Sequence, residues 1–215
     1  PQSSVAAGQS KSGPILMYHY IRYVDAANDE LGYNLSIDPE TFDHHMAWLA
    51  NNGYTGVDLH TLLRCTGRIP SSQATDMCPA APVALTFDDG YMDAYTAALP
   101  ILQRYGFRAS FYIVTGFVGQ PGYMGWKELI ILRDAGMEIG SHSISHPNLT
   151  ELDQAELARQ INESKQELEQ QLHIRVTSFC YPTGAYNQET IEQLRLAGFE
   201  NAITTNWYAG DSDLM

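Results

Sequence analysis

The chain has 215 residues, a length that fits one compact domain. Hydrophobic residues at 44% and charged residues at 17% are enough for a packed core and exclude global disorder. With 12 Lys+Arg against 25 Asp+Glu, the net charge of −13 repels phosphate backbones and anionic membranes, so a nucleic-acid binder is excluded.

In chain order, residues 1–13 read as a flexible arm. They are small and polar, and lack the charged segment followed by an apolar stretch that marks a signal peptide. Short β-prone runs follow at 15–18, 54–57, 83–87, 110–114, 137–140, 176–180 and 202–205. Helical periodicity fills the spaces between them. Asp38 caps a helix with Pro39 at its first position, Phe42, Met46 and Leu49 on one face, and Gly53 as its stop. The segment 92–105 is helical with Pro100 inside, which predicts a kink or break. Residues 126–135 and 188–197 form helices ended by Gly136 and Gly198. Thr150 is expected to open the longest helix, with Leu157, Ile161, Ser164, Leu168 and Leu172 inward and Glu and Gln on the outer face. Seven strand–helix alternations without hairpin signals predict a parallel α/β sheet, either an open doubly wound sheet or a closed barrel. The end at Asp211-Ser212-Asp213-Leu214-Met215 has no turn or cap, so the natural chain is expected to continue.

Three cysteines cannot all pair within one chain. Cys65 and Cys78 flank a Gly/Pro/Ser-rich loop, and are either a disulfide or two free thiols according to the redox compartment. Cys180 lies in an apolar run and reads as a buried thiol.

The residues capable of chemistry gather at the ends of the predicted strands. His19 follows the first, Asp88 and Asp89 the third, and Ser141-His142 the fifth. Tyr181-Pro182-Thr183-Gly184 follows the sixth and Asn206-Trp207 the seventh. Sites of parallel α/β folds form at the carboxyl ends of strands, so these groups converge on one rim. His142 and His146 are spaced to reach one ion, and Asp89 offers an oxygen ligand. Two His and one carboxylate leave an open position for water, the pattern of a catalytic metal site. Of the adjacent Asp88 and Asp89, one can ligate the metal while the other serves as general base, and His19 is the candidate for protonating a leaving group.

Thr86-Phe87-Asp88-Asp89-Gly90 and His142-Ser143-Ile144-Ser145-His146 resemble the first two motifs of the polysaccharide deacetylases, the NodB-homology or carbohydrate esterase family 4 group. Tyr181-Pro182-Thr183-Gly184 is similar to the third. The resemblance implies a distorted (β/α)7-type barrel over residues 14–215 and metal-dependent removal of acetyl groups from a glycan. It implies Asp88 as base, Asp89, His142 and His146 as metal ligands, and the Thr183 N–H as an oxyanion donor. The implied metal is divalent, Zn²⁺ foremost, with Co²⁺ or Ni²⁺ as alternatives. Tyr181, Trp126 and Trp207 are candidate walls of the acetyl or sugar pocket. Two departures stand out. The motif carrying the acid histidine opens the domain as Leu16-Met17-Tyr18-His19, as in the permuted branch related to poly-N-acetylglucosamine deacetylases. Cys180 stands where the third motif usually carries an arginine.

The expected reaction is hydrolysis of the N-acetyl amide of a β-linked amino-sugar polysaccharide, with poly-N-acetylglucosamine, chitin-like and peptidoglycan chains as candidates. An O-acetyl xylan esterase, an inactive glycan-binding relative and a small-molecule deacetylase are the alternatives. No run reaches the ~20 apolar residues of a membrane span. The expected protein is a monomer acting outside the cytoplasm, secreted, periplasmic or at the cell surface.

Overall fold

A computed structural model describes residues 13–69 and 78–205. Most of the arm expected over 1–13, the loop interior 70–77, Trp207 and the end at Met215 lie outside the described residues.

Seven strands form one all-parallel sheet: β1 (Ile15–Tyr18), β4 (Thr55–Val57), β5 (Pro82–Phe87), β6 (Ser110–Ile113), β7 (Glu138–Ser141), β8 (Ser178–Cys180) and β9 (Asn201–Ile203). They match the seven β-prone runs to within a few residues. The order is β1-β5-β6-β7-β8-β9. Strand β5 pairs with β1 over residues 84–87, with β4 over 82–84 and with β6 over 86–87. A strand has two edges, so β4 and β6 share the edge opposite β1. The sheet curls into a half-barrel with helices around it, and among the described residues β9 and β1 do not pair.

The period-2 alternation of strands separates two faces. Val83, Leu85, Phe87, Phe111, Ile113, Ile139 and Phe179 point outward into the main core beneath the helices. Ala84, Tyr112 and Cys180 point to the concave side and form a smaller cluster with Val57, Leu59 and Leu62. Gly140 makes room there: a Cβ on it would come within 2.5 Å of the Tyr112 ring. By the same alternation Asp88 and His142, one residue beyond β5 and β7, follow Ala84 and Gly140 onto the concave side.

The helices α2 (Pro39–Asn51), α5 (Trp126–Asp134) and α7 (Gln188–Leu196) form where their caps and stripes predict, with Asp38 accepting from the Thr41 N–H. Before Pro100 the helix widens into a π-helical stretch, Ala94–Ala98, and then continues as α4 (Leu99–Tyr105). Proline supplies no N–H to the preceding turn and its ring needs space there, which accounts for the widening.

The longest helix, α6 (Gln154–Leu172), corrects two expectations. It is capped by Asp153, whose carboxylate accepts from the Glu156 N–H, while Thr150 sits in a separate 3₁₀ turn, Leu149–Glu151. An aspartate directly before the first turn outcompetes a threonine three residues upstream. Gln160 is not on the outer face: it is buried beside the stripe, three residues after Leu157 and four before Ser164. Three further pieces were not anticipated: α1 (Glu30–Asn34), α3 (Leu59–Cys65), and a two-stranded parallel pair, β2 (Tyr20–Ile21) and β3 (Ser36–Ile37). They are too short for periodicity to register. Cys65 and Cys78 are bridged, tying the end of α3 to the chain entering β5.

Candidate active site

The sheet ladders carry directly into the reactive residues. The Asp88 N–H donates to the Tyr18 carbonyl and the His142 N–H to the Ile113 carbonyl, so both backbones are held as strand extensions. Beyond them the chain turns sharply. Asp89 (φ 72°), Ser143 (φ 67°), His146 (φ 58°) and Thr183 (φ 60°) all adopt the left-handed conformation without being glycine. The other such residue among those described, His173, merely ends α6. Each non-glycine residue in this region costs about 1–3 kcal/mol, and such strain persists where the surroundings over-determine it.

The surroundings here are polar, and Gln160 and Ser143 within them are buried. Gln160 Oε1 accepts from the Ile144 and Ser145 N–H groups at 3.0 and 3.1 Å, and its Nε2 donates to Ser145 Oγ. The His146 N–H donates to Ser143 Oγ at 3.0 Å. Helix α6 therefore clamps the loop that joins the two histidines.

Asp89 Oδ1 lies 3.5 Å from both His142 Nε2 and His146 Nε2. Ligands about 2.1 Å from a tetrahedral ion stand ~3.4 Å apart, so this donor set fits a divalent metal in spacing as well as in chemistry. His142 Nδ1 contacts the Cys180 carbonyl at 2.7 Å, which makes Nδ1 the protonated nitrogen and leaves the Nε2 lone pair toward Asp89. Burial lowers the His142 pKa to about 4, against the pull of Asp89, so the ring is neutral as a ligand must be.

Asp88 is 2% exposed. Burial, then the charge of Asp89, pushes its carboxyl up to about 7. Its Oδ2 accepts from the Cys180 thiol at 3.5 Å and lies 4.0 Å from His19 Nε2, while Oδ1 is buried without a protein partner. Burial lowers the His19 pKa, with Asp89 opposing and His146 reinforcing the shift. Burial and the neighbouring Asp88 raise the Cys180 thiol well above its ordinary value, so it remains a thiol.

His19, Asp88, Asp89, His142, His146, Tyr181 and Thr183 line one pocket of about 160 Å³. Seven of the residues singled out in the sequence are thus brought together. Tyr181 forms a buried wall, 1% exposed and stacked on Tyr186. Trp126 stands apart, at the first position of α5 and packed against the main core. Leu35 and Thr205 also line the pocket and carried no signal in the sequence. Gln160 was missed as well, although its place beside the apolar stripe marks it as an inward polar residue.

A parallel half-barrel with an Asp/His/His cluster and a buried second aspartate at the carboxyl ends of its strands is the frame of a hydrolase. The family model for polysaccharide deacetylases matches residues 77–202. The chain belongs to the polysaccharide deacetylase family. It is 30% identical over 202 residues to the Bacillus subtilis (strain 168) protein YxkH, provisionally named a polysaccharide deacetylase, covering 93% of this chain and 67% of that protein. It is also 30% identical over 142 residues to the peptidoglycan-N-acetylglucosamine deacetylase PgdA of Listeria monocytogenes (strain 10403S), covering 64% of this chain. The match spans only 30% of PgdA. The solved structure of the Streptococcus pyogenes deacetylase PplD in complex with acetate superimposes with a TM-score of 0.82 at 26% identity, covering 92% of this chain and 85% of that one.

Proposed function

We propose that the chain is a metal-dependent N-deacetylase acting on a β-linked N-acetylamino-sugar polysaccharide. The observation that carries this reading is the position of Asp89 Oδ1, 3.5 Å from two histidine nitrogens, with buried Asp88 beside it and His19 within 4.0 Å of Asp88. Asp89, His142 and His146 hold the ion, for which Zn²⁺ suits the two-imidazole, one-carboxylate set, and Co²⁺ or Ni²⁺ the same donors less strictly. When bound, such an ion acidifies water and polarises a carbonyl.

The residues of the chain do the rest. Asp88 takes the proton of the attacking water, since its carboxylate lines the pocket beside Asp89. The N–H of Thr183, a residue that lines the pocket, stabilises the developing oxyanion. His19 protonates the departing nitrogen. An amine leaves far less readily than an alkoxide without a proton, so a histidine beside the base favours an amide substrate over an acetyl ester.

A pocket of about 160 Å³ is well below the ~300 Å³ at which drug-sized sites begin, and suits an acetyl group presented by a chain lying outside it. The name of PgdA supports an N-acetylglucosamine polymer. The Cys65–Cys78 disulfide supports action in an oxidising, extracytoplasmic compartment. Among the described residues, no helix is long and apolar enough to cross a membrane.

Acetate release with Zn²⁺, Co²⁺ or Ni²⁺ supplied, from N-acetylglucosamine oligomers, poly-N-acetylglucosamine, peptidoglycan and acetylxylan, tests the reading. Release from an N-acetylated polymer, with His142→Ala losing both bound metal and at least a hundredfold in rate, supports it. Release from acetylxylan alone replaces it with the O-acetyl esterase. No release from any of them, or full activity in His142→Ala, overturns it.

A further inference from the structure

Cys180 meets Asp88 without itself lining the pocket. Strand alternation puts both on the concave side of the sheet, and the β7–β8 ladder, Ser141 against Phe179, sets the end of β8 beside His142. One donor atom from each of Asp88, His142 and Cys180 lies within 4.8 Å of the other two, and all three residues are 2% exposed. The Cys180 thiol donates to Asp88 Oδ2 at 3.5 Å. A thiolate sulfur about 2.3 Å and a carboxylate oxygen about 2.1 Å from one tetrahedral ion stand ~3.6 Å apart, so this pair is already at metal-sharing distance. A second observation points the same way: Asp88 Oδ1 is buried and has no hydrogen-bond partner in the protein. A buried carboxylate oxygen of that kind calls for an ion or a donor to satisfy it.

His142 belongs both to this set and to the one with Asp89 and His146. Its Nδ1 is occupied by the Cys180 carbonyl at 2.7 Å, which leaves Nε2 as the lone pair of the ring. One lone pair serves one ion, so the two sets cannot both be complete. They also differ in softness. Asp89, His142 and His146 offer oxygen and nitrogen, whereas the deeper set has sulfur in place of an imidazole, and sulfur selects soft cations. Cys65 and Cys78 are bridged, so Cys180 is the free thiol that the chain can offer.

We propose that Asp88, His142 and Cys180 form a second metal position for soft divalent cations such as Cd²⁺, and that an ion held there inhibits by withdrawing Asp88 and His142 from hydrolysis. The binding stands apart from the deacetylase reading; only the inhibition rests on it. On binding, the Sγ–H bond breaks and an Sγ–metal bond forms. The proton passes to solvent, and no oxidation state changes.

The test titrates the full chain, its disulfide intact, with Cd²⁺ and reads sulfur-to-cadmium charge transfer in the ultraviolet, together with Tm. The wild type develops the band. His146→Ala keeps it, because His146 belongs to the first set alone. Asp88→Asn lowers Cd²⁺ affinity about 10–100-fold, as loss of a group that supports a metal does. Cys180→Ser shows no band, yet still binds Zn²⁺ in competition with a chelator. No band in the wild type overturns the proposal. So does a band lost in His146→Ala, which would put the sulfur on the first ion, or unchanged affinity in Asp88→Asn, which would reduce the site to a lone thiol. If Cys180→Ser loses Tm, His146→Ala and Asp88→Asn decide, since both keep the sulfur. In an enzyme that releases acetate, Cd²⁺ slows the zinc-loaded wild type and spares Cys180→Ser; equal inhibition of the two overturns the inhibitory half. Without acetate release the deacetylase reading fails, and the band is still read.

Discussion

Asp88 and Asp89 are neighbours in the chain with opposite surroundings. Asp88 continues the β5 ladder and is buried, whereas Asp89 turns into the left-handed region and faces two imidazoles. The sequence pointed to divided labour through strand alternation, and the assignment of roles came with the family resemblance. What no pattern encodes is the level at which Asp88 ionises, because that depends on burial by residues far apart in the chain. With its carboxyl pushed up to about 7, Asp88 serves as a base only above that range. A cation held by Asp89 offsets the negative charge that contributes to the shift and moves the limit downward. We therefore expect kcat/KM for acetate release to fall as pH drops through a single-proton limb at or below about 7. Asp88→Asn lowers kcat by about 10²–10⁴-fold and abolishes that limb, as a pH profile of both proteins would read. Cys180 was legible as a buried thiol, but that its sulfur meets Asp88 and its carbonyl meets His142 emerges only when β8 lies beside β7.

The elements differ in how openly they announce themselves. Helix α2 has every local signal in agreement, from Asp38 to Gly53, and forms as read. Helix α6 has its stripe where periodicity puts it, yet its contribution to the site rests on the one inward residue that is polar. Gln160 ties the backbone of Ile144 and Ser145, between His142 and His146, to a rigid helix. Gln160→Ala removes the side-chain acceptor shared by the Ile144 and Ser145 N–H groups and loosens the loop. We expect metal affinity to drop about 10–100-fold, as for other groups that orient ligands, measured by competition with a chelator. The mean residue type of a helix face predicts burial, while a single buried glutamine is decided by the loop it meets.

At the scale of the whole molecule, two features set stability. The Cys65–Cys78 bridge closes a short loop and contributes roughly 3 kcal/mol by the chain-entropy argument. Cys65→Ser/Cys78→Ser, or the reduced wild type, is expected to melt about 6–12 °C lower, by calorimetry. Glu138, at the start of β7, accepts from Ser110 Oγ at 2.5 Å and from the His60 N–H at 3.3 Å. Burial, then the charge of Asp58, pushes its carboxyl up to about 7. The folded protein thus holds a proton between the ordinary value of 4.5 and about 7 that the unfolded chain releases. The associated stability is complete below that window and is lost as pH rises through it. Between pH ~5 and ~8 the urea midpoint of the wild type should fall more than that of Glu138→Gln, which has no proton to lose.

The sequence by itself determined the seven parallel strands, the rim on which chemistry gathers and the identity of the aspartates and histidines there. These follow from period-2 and period-3.6 patterns and from short motifs, all readable within about twenty residues. Its net charge of −13, which first excluded a phosphate partner, also suits a neutral glycan. Tertiary structure alone decided the pocket's other lining residues, Leu35 and Thr205, the inward turn of Gln160, the pairing of Cys65 with Cys78, and the contact of Cys180 with Asp88. Each of these joins segments separated in the chain, and such contacts exist only after the sheet has curled and brought the strand ends together.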